Sequence, residues 1–129
     1  MKTMKIFSAL ILVQLLLWGA AHFYLTANKP ISLIVADTSY SMKENFPQVK
    51  RWIENYESNS RYSTILIGTD KASLGRLDEL HSKEVIFRTA FGKLTNENLI
   101  RLYSHVAADK RLLLSDGSLQ PDDWDVIEF

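Results

Sequence analysis

Three oxygen-bearing side chains, Asp37, Ser39 and Ser41, stand at alternate positions in the stretch DTSYSM, directly after the apolar run SLIVA. An extended loop projects every second side chain to the same side, so these three point together while Thr38 and Tyr40 point away. One carboxylate with two hydroxyls is a set of hard oxygen donors, which suits Mg²⁺, or Mn²⁺ or Ca²⁺, better than a soft metal. Two further positions extend the set: Asp116 in LLLSDGS, and Thr95 in FGKLTNENL at the mouth of an amphipathic stretch. The same residue types also have plainer uses. Asp37, Ser39 and Ser41 suit a helix cap or a turn, Thr95 suits an N-cap, and Asp116 with Gly117 is a common turn pair.

For these residues to meet, the elements around them must bring two loops together. ISLIVA (31–36) is a short unbroken apolar run, as expected of a strand covered on both faces. Phe46, Val49, Trp52, Ile53 and Tyr56 recur at helical spacing and predict a helix over 44–57. YSTILIG (62–68) predicts a second strand, EVIFRTAF (84–91) a third, RLLLS (111–115) a fourth and WDVIEF (124–129) a fifth. KASLGRLDELHSK carries a short helix or loop around Leu74 to Leu80, and TNENLIRLYSHVAA a second clear helix.

Strands alternating with helices predict an α/β domain with a small, doubly wound, mainly parallel central sheet flanked by helices. In such a sheet, ligands gather at the carboxyl ends of the strands where the winding reverses. Asp37 follows the first strand and Asp116 the fourth, so the two loops meet if these strands are neighbours.

The N-terminal stretch IFSALILVQLLLWGAAHFYL, from Ile6 to Leu25, has only Gln14 and His22 as strongly polar members. Twenty helical residues span about 30 Å, the thickness of the hydrocarbon core. The expected organisation is therefore a transmembrane anchor over residues 1–28 and a domain over 29–129. Lys2 and Lys5 before the apolar stretch put the N-terminus in the cytoplasm and the domain on the extracytoplasmic side. The alternative is a signal peptide cut near Gly19, Ala20 and Ala21, which leaves a secreted domain.

The chain has 129 residues, no cysteine and zero formal net charge. That length holds one compact domain, excludes thiolate chemistry and disulfides, and offers no bulk electrostatic reason to bind nucleic acid. Enzyme chemistry is also poorly served. An aspartyl phosphatase at Asp37 wants a second acid two residues on, where this chain has Ser39. No G-x-S-x-G flanks either serine, and no Walker A or G-x-G-x-x-G occurs. His81 and His105 are isolated, and Lys50 and Arg51 lie on the solvated side of the first predicted helix of the domain.

LIVADTSYSM resembles the first strand and metal loop of a von Willebrand factor type A domain, and LLLSDG resembles the later strand end that completes its metal-ion-dependent adhesion site. The resemblance covers residues 31 to 129 and implies a Rossmann-like fold. It implies that Asp37, Ser39, Ser41, Thr95 and Asp116 surround a divalent ion, with one coordination position left for an acidic side chain of a protein partner. The family pairs glycine with the threonine, whereas here Gly92 is separated from Thr95, and Thr89 is a rival. The family also carries a further strand and helices, so an exposed sheet edge here is expected to serve a partner or self-association.

The expected function is therefore adhesion or complex assembly through a metal-bridged carboxylate, without turnover. The alternative is a metal-free structural protein of a membrane complex, and a hydrolase is a third reading.

Overall fold

The computed structural model describes residues 1–27, 29–60, 62–88 and 93–129. Lys2–Ala27 form one 26-residue helix, α1, with no buried residue. At about 1.5 Å per residue it is about 39 Å long. Among the described residues it is the one helix long and apolar enough to span a membrane or act as a signal sequence.

Beyond α1, β1 (Ile31–Ala36), β2 (Thr64–Thr69), β3 (Ser73–Arg76), β4 (Lys110–Ser115) and β5 (Asp125–Glu128) form a sheet ordered β3-β2-β1-β4-β5. β1 is central and parallel to both β2 and β4; β5 is parallel to β4, and β3 is antiparallel to β2. The chain thus winds outward from β1 in two directions, and the fold is α/β with a mostly parallel sheet.

The pleat of β1 divides its apolar run between two cores. Ile34 and Ala36 join Ile65, Ile67, Leu112 and Leu114 beneath α2 (Phe46–Asn59), which buries Val49 and Ile53. Leu33 and Val35 face the opposite way with Leu113, beneath α3 (Asn96–Tyr103), which buries Leu99 and Tyr103. A strand covered on both faces is apolar at nearly every position; the polar exception, Ser32, is buried with its hydroxyl accepting from that of Tyr56 at 3.1 Å.

Two segments differ from the sequence expectation. The third strand is Ser73–Arg76, not residues 84–91: KASLGR, expected as helix or loop, turns back along β2 as its antiparallel edge, with the register shifting between Ile67 and Gly68. A 3-10 turn over Leu77–Glu79 follows. The apolar run EVIF instead forms a 3-10 segment, Lys83–Phe87, opened by the Ser82 hydroxyl accepting from the Glu84 amide. Ile86 is buried beneath α2 and the Phe87 ring lies 4.8 Å from that of Phe46. A short apolar run reports burial, and burial alone does not distinguish a strand from a helical turn. Residues 89–91 of the expected strand, with Thr89 and Gly92, lie outside the described residues.

α2 begins at Phe46, two residues later than expected, because a 3-10 turn over Tyr40–Asn45 leads into it and Pro47 occupies its first turn. α3 is shorter than its apolar periodicity, ending at Tyr103. Arg111 on β4 donates to the carbonyl of Tyr103 (3.0 Å), an acceptor that the end of α3 would leave open, and to that of Val106 (2.6 Å) in the turn that follows.

Candidate functional site

β1 and β4 are adjacent, and the winding reverses between them. The Asp37 amide donates to the Leu114 carbonyl at 2.8 Å, carrying the β1–β4 pairing one residue past the end of β1. The chain then leaves the sheet. Asp37 is buried, and its Oδ1 accepts from the Ser39 amide at 2.9 Å. Met42, fully buried under α2, anchors the far side of the loop.

The expected extended alternation holds only to Ser39, because the 3-10 turn begins at Tyr40, and Thr38 and Tyr40 do not share a side. Thr38 points inward and is fully buried, and Tyr40 points to solvent, 72% exposed. Ser39 Oγ and Ser41 Oγ are 3.3 Å apart, and Ser41 Oγ lies 3.4 Å from Asp116 Oδ2, across from the end of β4. Four of the five expected residues are thus joined in one hydrogen-bonded chain. Thr95 is not part of it: exposed, it serves as N-cap of α3, its hydroxyl accepting from the Asn98 amide at 3.2 Å.

Asp116 is held by its own turn. Its Oδ1 accepts from the Ser118 amide at 3.0 Å, and Gly117 between them has φ +82°, a conformation that favours glycine. A methyl group on Gly117 would also lie 2.6 Å from the Glu128 carboxyl carbon.

The two carboxylates differ electrostatically. Burial pushes the Asp37 carboxyl above its ordinary range, aided by the charges of Asp70 and Asp116 and opposed by the hydrogen bonds from Ser39. The Ser118 hydrogen bonds hold Asp116 below the ordinary range.

Two residues that the sequence reading passed over complete the surroundings. Asp70, at the carboxyl end of β2, is 2% exposed and accepts from the Thr38 amide (3.1 Å) and the Thr38 hydroxyl (2.6 Å). Lys71 Nζ closes the cluster, 3.0 Å from Asp70 Oδ2 and 3.0 Å from Thr38 Oγ1. The signal was present: IGTDK puts an aspartate after an apolar strand, the same feature that singled out Asp37 and Asp116. The Tyr103 hydroxyl on α3 holds this strand end from the other face by donating to the Thr69 and Ala72 carbonyls.

The donors of the four-residue chain are all hard oxygens. Octahedral bonds of about 2.1 Å place neighbouring ligand oxygens about 3.0 Å apart, and the longer bonds of Ca²⁺ about 3.4 Å. The observed separations of 3.3 and 3.4 Å are long for hydroxyl hydrogen bonds but close to such ligand spacings. The spacing concerns Ser39, Ser41 and Asp116 alone, because Asp37 joins them through the Ser39 amide; the donor set as a whole has the hard-oxygen chemistry a divalent ion takes. No group of three or more His, Cys, Asp or Glu side chains disposed to hold a metal occurs among the described residues, so any ion here relies on hydroxyls. No family model matches this chain, and no curated protein or solved structure matches it.

Proposed function

We propose that this chain is a membrane-anchored, extracytoplasmic domain that binds a divalent cation, Mg²⁺ or else Mn²⁺ or Ca²⁺, between the carboxyl ends of β1 and β4. Through that cation it engages an acidic group of a protein partner, in the manner of a von Willebrand factor type A domain. The observation that carries this reading is the run of Asp37, Ser39, Ser41 and Asp116 along one hydrogen-bonded chain at the point where the sheet reverses its winding. Asp37, Ser39, Ser41 and Asp116 would hold the ion, which when bound supplies a residual positive charge toward an incoming carboxylate. Ser39 and Ser41 contribute oxygens without neutralising charge, and Tyr40, exposed beside them, offers an amphipathic ring to the partner. The roles are those of binding and assembly, not catalysis.

The position of Thr95 favours a second reading. Its hydroxyl caps α3 and has no hydrogen bond to the other four residues, as in a metal-free assembly protein that keeps the fold without the ion.

Thermal unfolding of the full chain in detergent micelles separates the two. With chelator first, then MgCl₂, MnCl₂ or CaCl₂, an ion that binds only the folded state adds about 2.7 kcal/mol at a hundred times its dissociation constant. A rise in midpoint that disappears in Asp37→Ala and Asp116→Ala supports cation binding. An unchanged midpoint at millimolar concentrations of all three ions supports the metal-free scaffold.

A further inference from the structure

We infer that the Asp70–Lys71 ion pair sets the electrostatic strength of the candidate cation site, with Asp70 as a positioning residue for the loop that bears Asp37 and Ser39. The inference rests on the cation-binding reading above and adds to it the residues that govern affinity.

The geometry places the pair behind the loop and not inside it. The register pairs Ala36 with Thr69, so the residues leaving β1 and β2 run side by side. Asp70 therefore meets Thr38, the inward-facing residue between Asp37 and Ser39, through both the amide and the hydroxyl. Two hydrogen bonds on one residue fix the direction in which its two neighbours project. Lys71 Nζ reaches the same Thr38 from the other side, at 3.0 Å to Oγ1 and 3.4 Å to the carbonyl.

Charge gives the pair its second effect. Asp70 is 2% exposed and Lys71 28% exposed, so the pair is only weakly screened. Together they are neutral, and the loop carries only the charge of Asp37. Removing the ammonium therefore leaves an additional negative charge behind a cation site, and removing the carboxylate leaves an additional positive one. A divalent ion feels each change with twice the force of a monovalent ion.

The test is calorimetric titration of the full chain in detergent micelles with MnCl₂, for wild type, Lys71→Met, Asp70→Asn, Lys71→Arg and the double variant Asp70→Asn/Lys71→Met. Lys71→Met is expected to tighten Mn²⁺ binding about three- to tenfold and Asp70→Asn to weaken it by a similar factor. Lys71→Arg and the double variant are expected to stay near wild type, because each keeps the pair neutral. Near-ultraviolet circular dichroism checks each fold, and if Lys71→Met does not fold, the other three variants still decide. Weakening in both single variants, with the double variant weakened at least as much, leaves positioning without an electrostatic effect of the pair and overturns the inference. So does an unchanged affinity in both, or a Lys71→Arg variant that departs from wild type. Wild type that binds no Mn²⁺ removes the cation reading itself, and this inference with it.

Discussion

The phenol of Tyr103 occupies the space where a side chain at residue 68 would begin: a methyl group on Gly68 would overlap its hydroxyl and lie 2.8 Å from Cζ. The absence of a side chain in β2 lets α3 come close enough for Tyr103 to donate to the Thr69 and Ala72 carbonyls. Burial, with Asp70 nearby, pushes the phenol's ionisation far above its ordinary range, so it stays a donor at any physiological pH. Through this contact α3 steadies the strand end from which Asp70 projects.

Gly68→Ala is accordingly expected to destabilise the domain by about 1–3 kcal/mol through overpacking. Tyr103→Phe is expected to cost about 1–2 kcal/mol, because a buried carbonyl loses its donor. Urea unfolding of the full chain in detergent measures both. A neutral Gly68→Ala would show that Tyr103 repacks freely and does not fix the end of β2.

At Thr95 two roles can be separated by substitution. Thr95→Ala is expected to lose about 1 kcal/mol as the α3 cap is removed, and Thr95→Asn to recover it, since asparagine caps well. Both variants are expected to keep any cation-induced rise in melting midpoint. Loss of that rise in Thr95→Asn, with stability recovered, would make Thr95 a ligand after all.

The carboxylates of the site carry opposite pH dependences. Asp37 has a raised folded pKa, so its contribution favours the native state below the unfolded value of 3.8 and is lost as pH rises through the folded value. Asp116 has a lowered folded pKa, so its contribution is present above 3.8 and is lost as pH falls through the folded value. In chelator, Asp37→Asn is therefore expected to melt above wild type near neutral pH, with the difference closing as the pH falls into the ordinary aspartate range. With a divalent ion present the order is expected to reverse, because the variant lacks the charge that holds the ion. Thermal melts across pH, with and without MgCl₂, check both signs.

Arg111 supports the same region from β4. It donates to the carbonyl of Tyr103 at the end of α3 and to that of Val106 in the turn beyond, and lies 5.7 Å from the Trp124 ring. Arg111→Met is expected to lose about 2–3 kcal/mol, since charged hydrogen bonds and a cation–π contact go together. Arg111→Lys is expected to recover only part of this, because one ammonium does not reproduce the planar fork. Chemical unfolding of the two variants compares them directly.

Much of this protein follows from local pattern. The unbroken run over 31–36, the helical recurrence from Phe46 to Tyr56 and the apolar run over 111–115 each encode their own burial, and the structure places a strand, a helix and a strand there. The spacing in DTSYS singled out Asp37, Ser39 and Ser41, but extended alternation stops at Tyr40, and it is the 3-10 turn beginning there that sets Ser41 beside Ser39. The apolar length of α1 is likewise a property of composition.

Tertiary structure decided the rest. SLGR became an edge strand and EVIF a 3-10 segment because β2 had an open side and α2 an apolar one. Neither fact is written in those residues. Asp37 and Asp116 are distant in sequence and share one end of the sheet because β4 pairs with β1. Asp70 reaches Thr38 because the register sets Thr69 beside Ala36, and Thr95 turned to the start of α3, where an unpaired amide awaited an acceptor. Local sequence determines what each segment can bury, whereas the neighbours of a side chain depend on strand order and register, which only the folded chain selects.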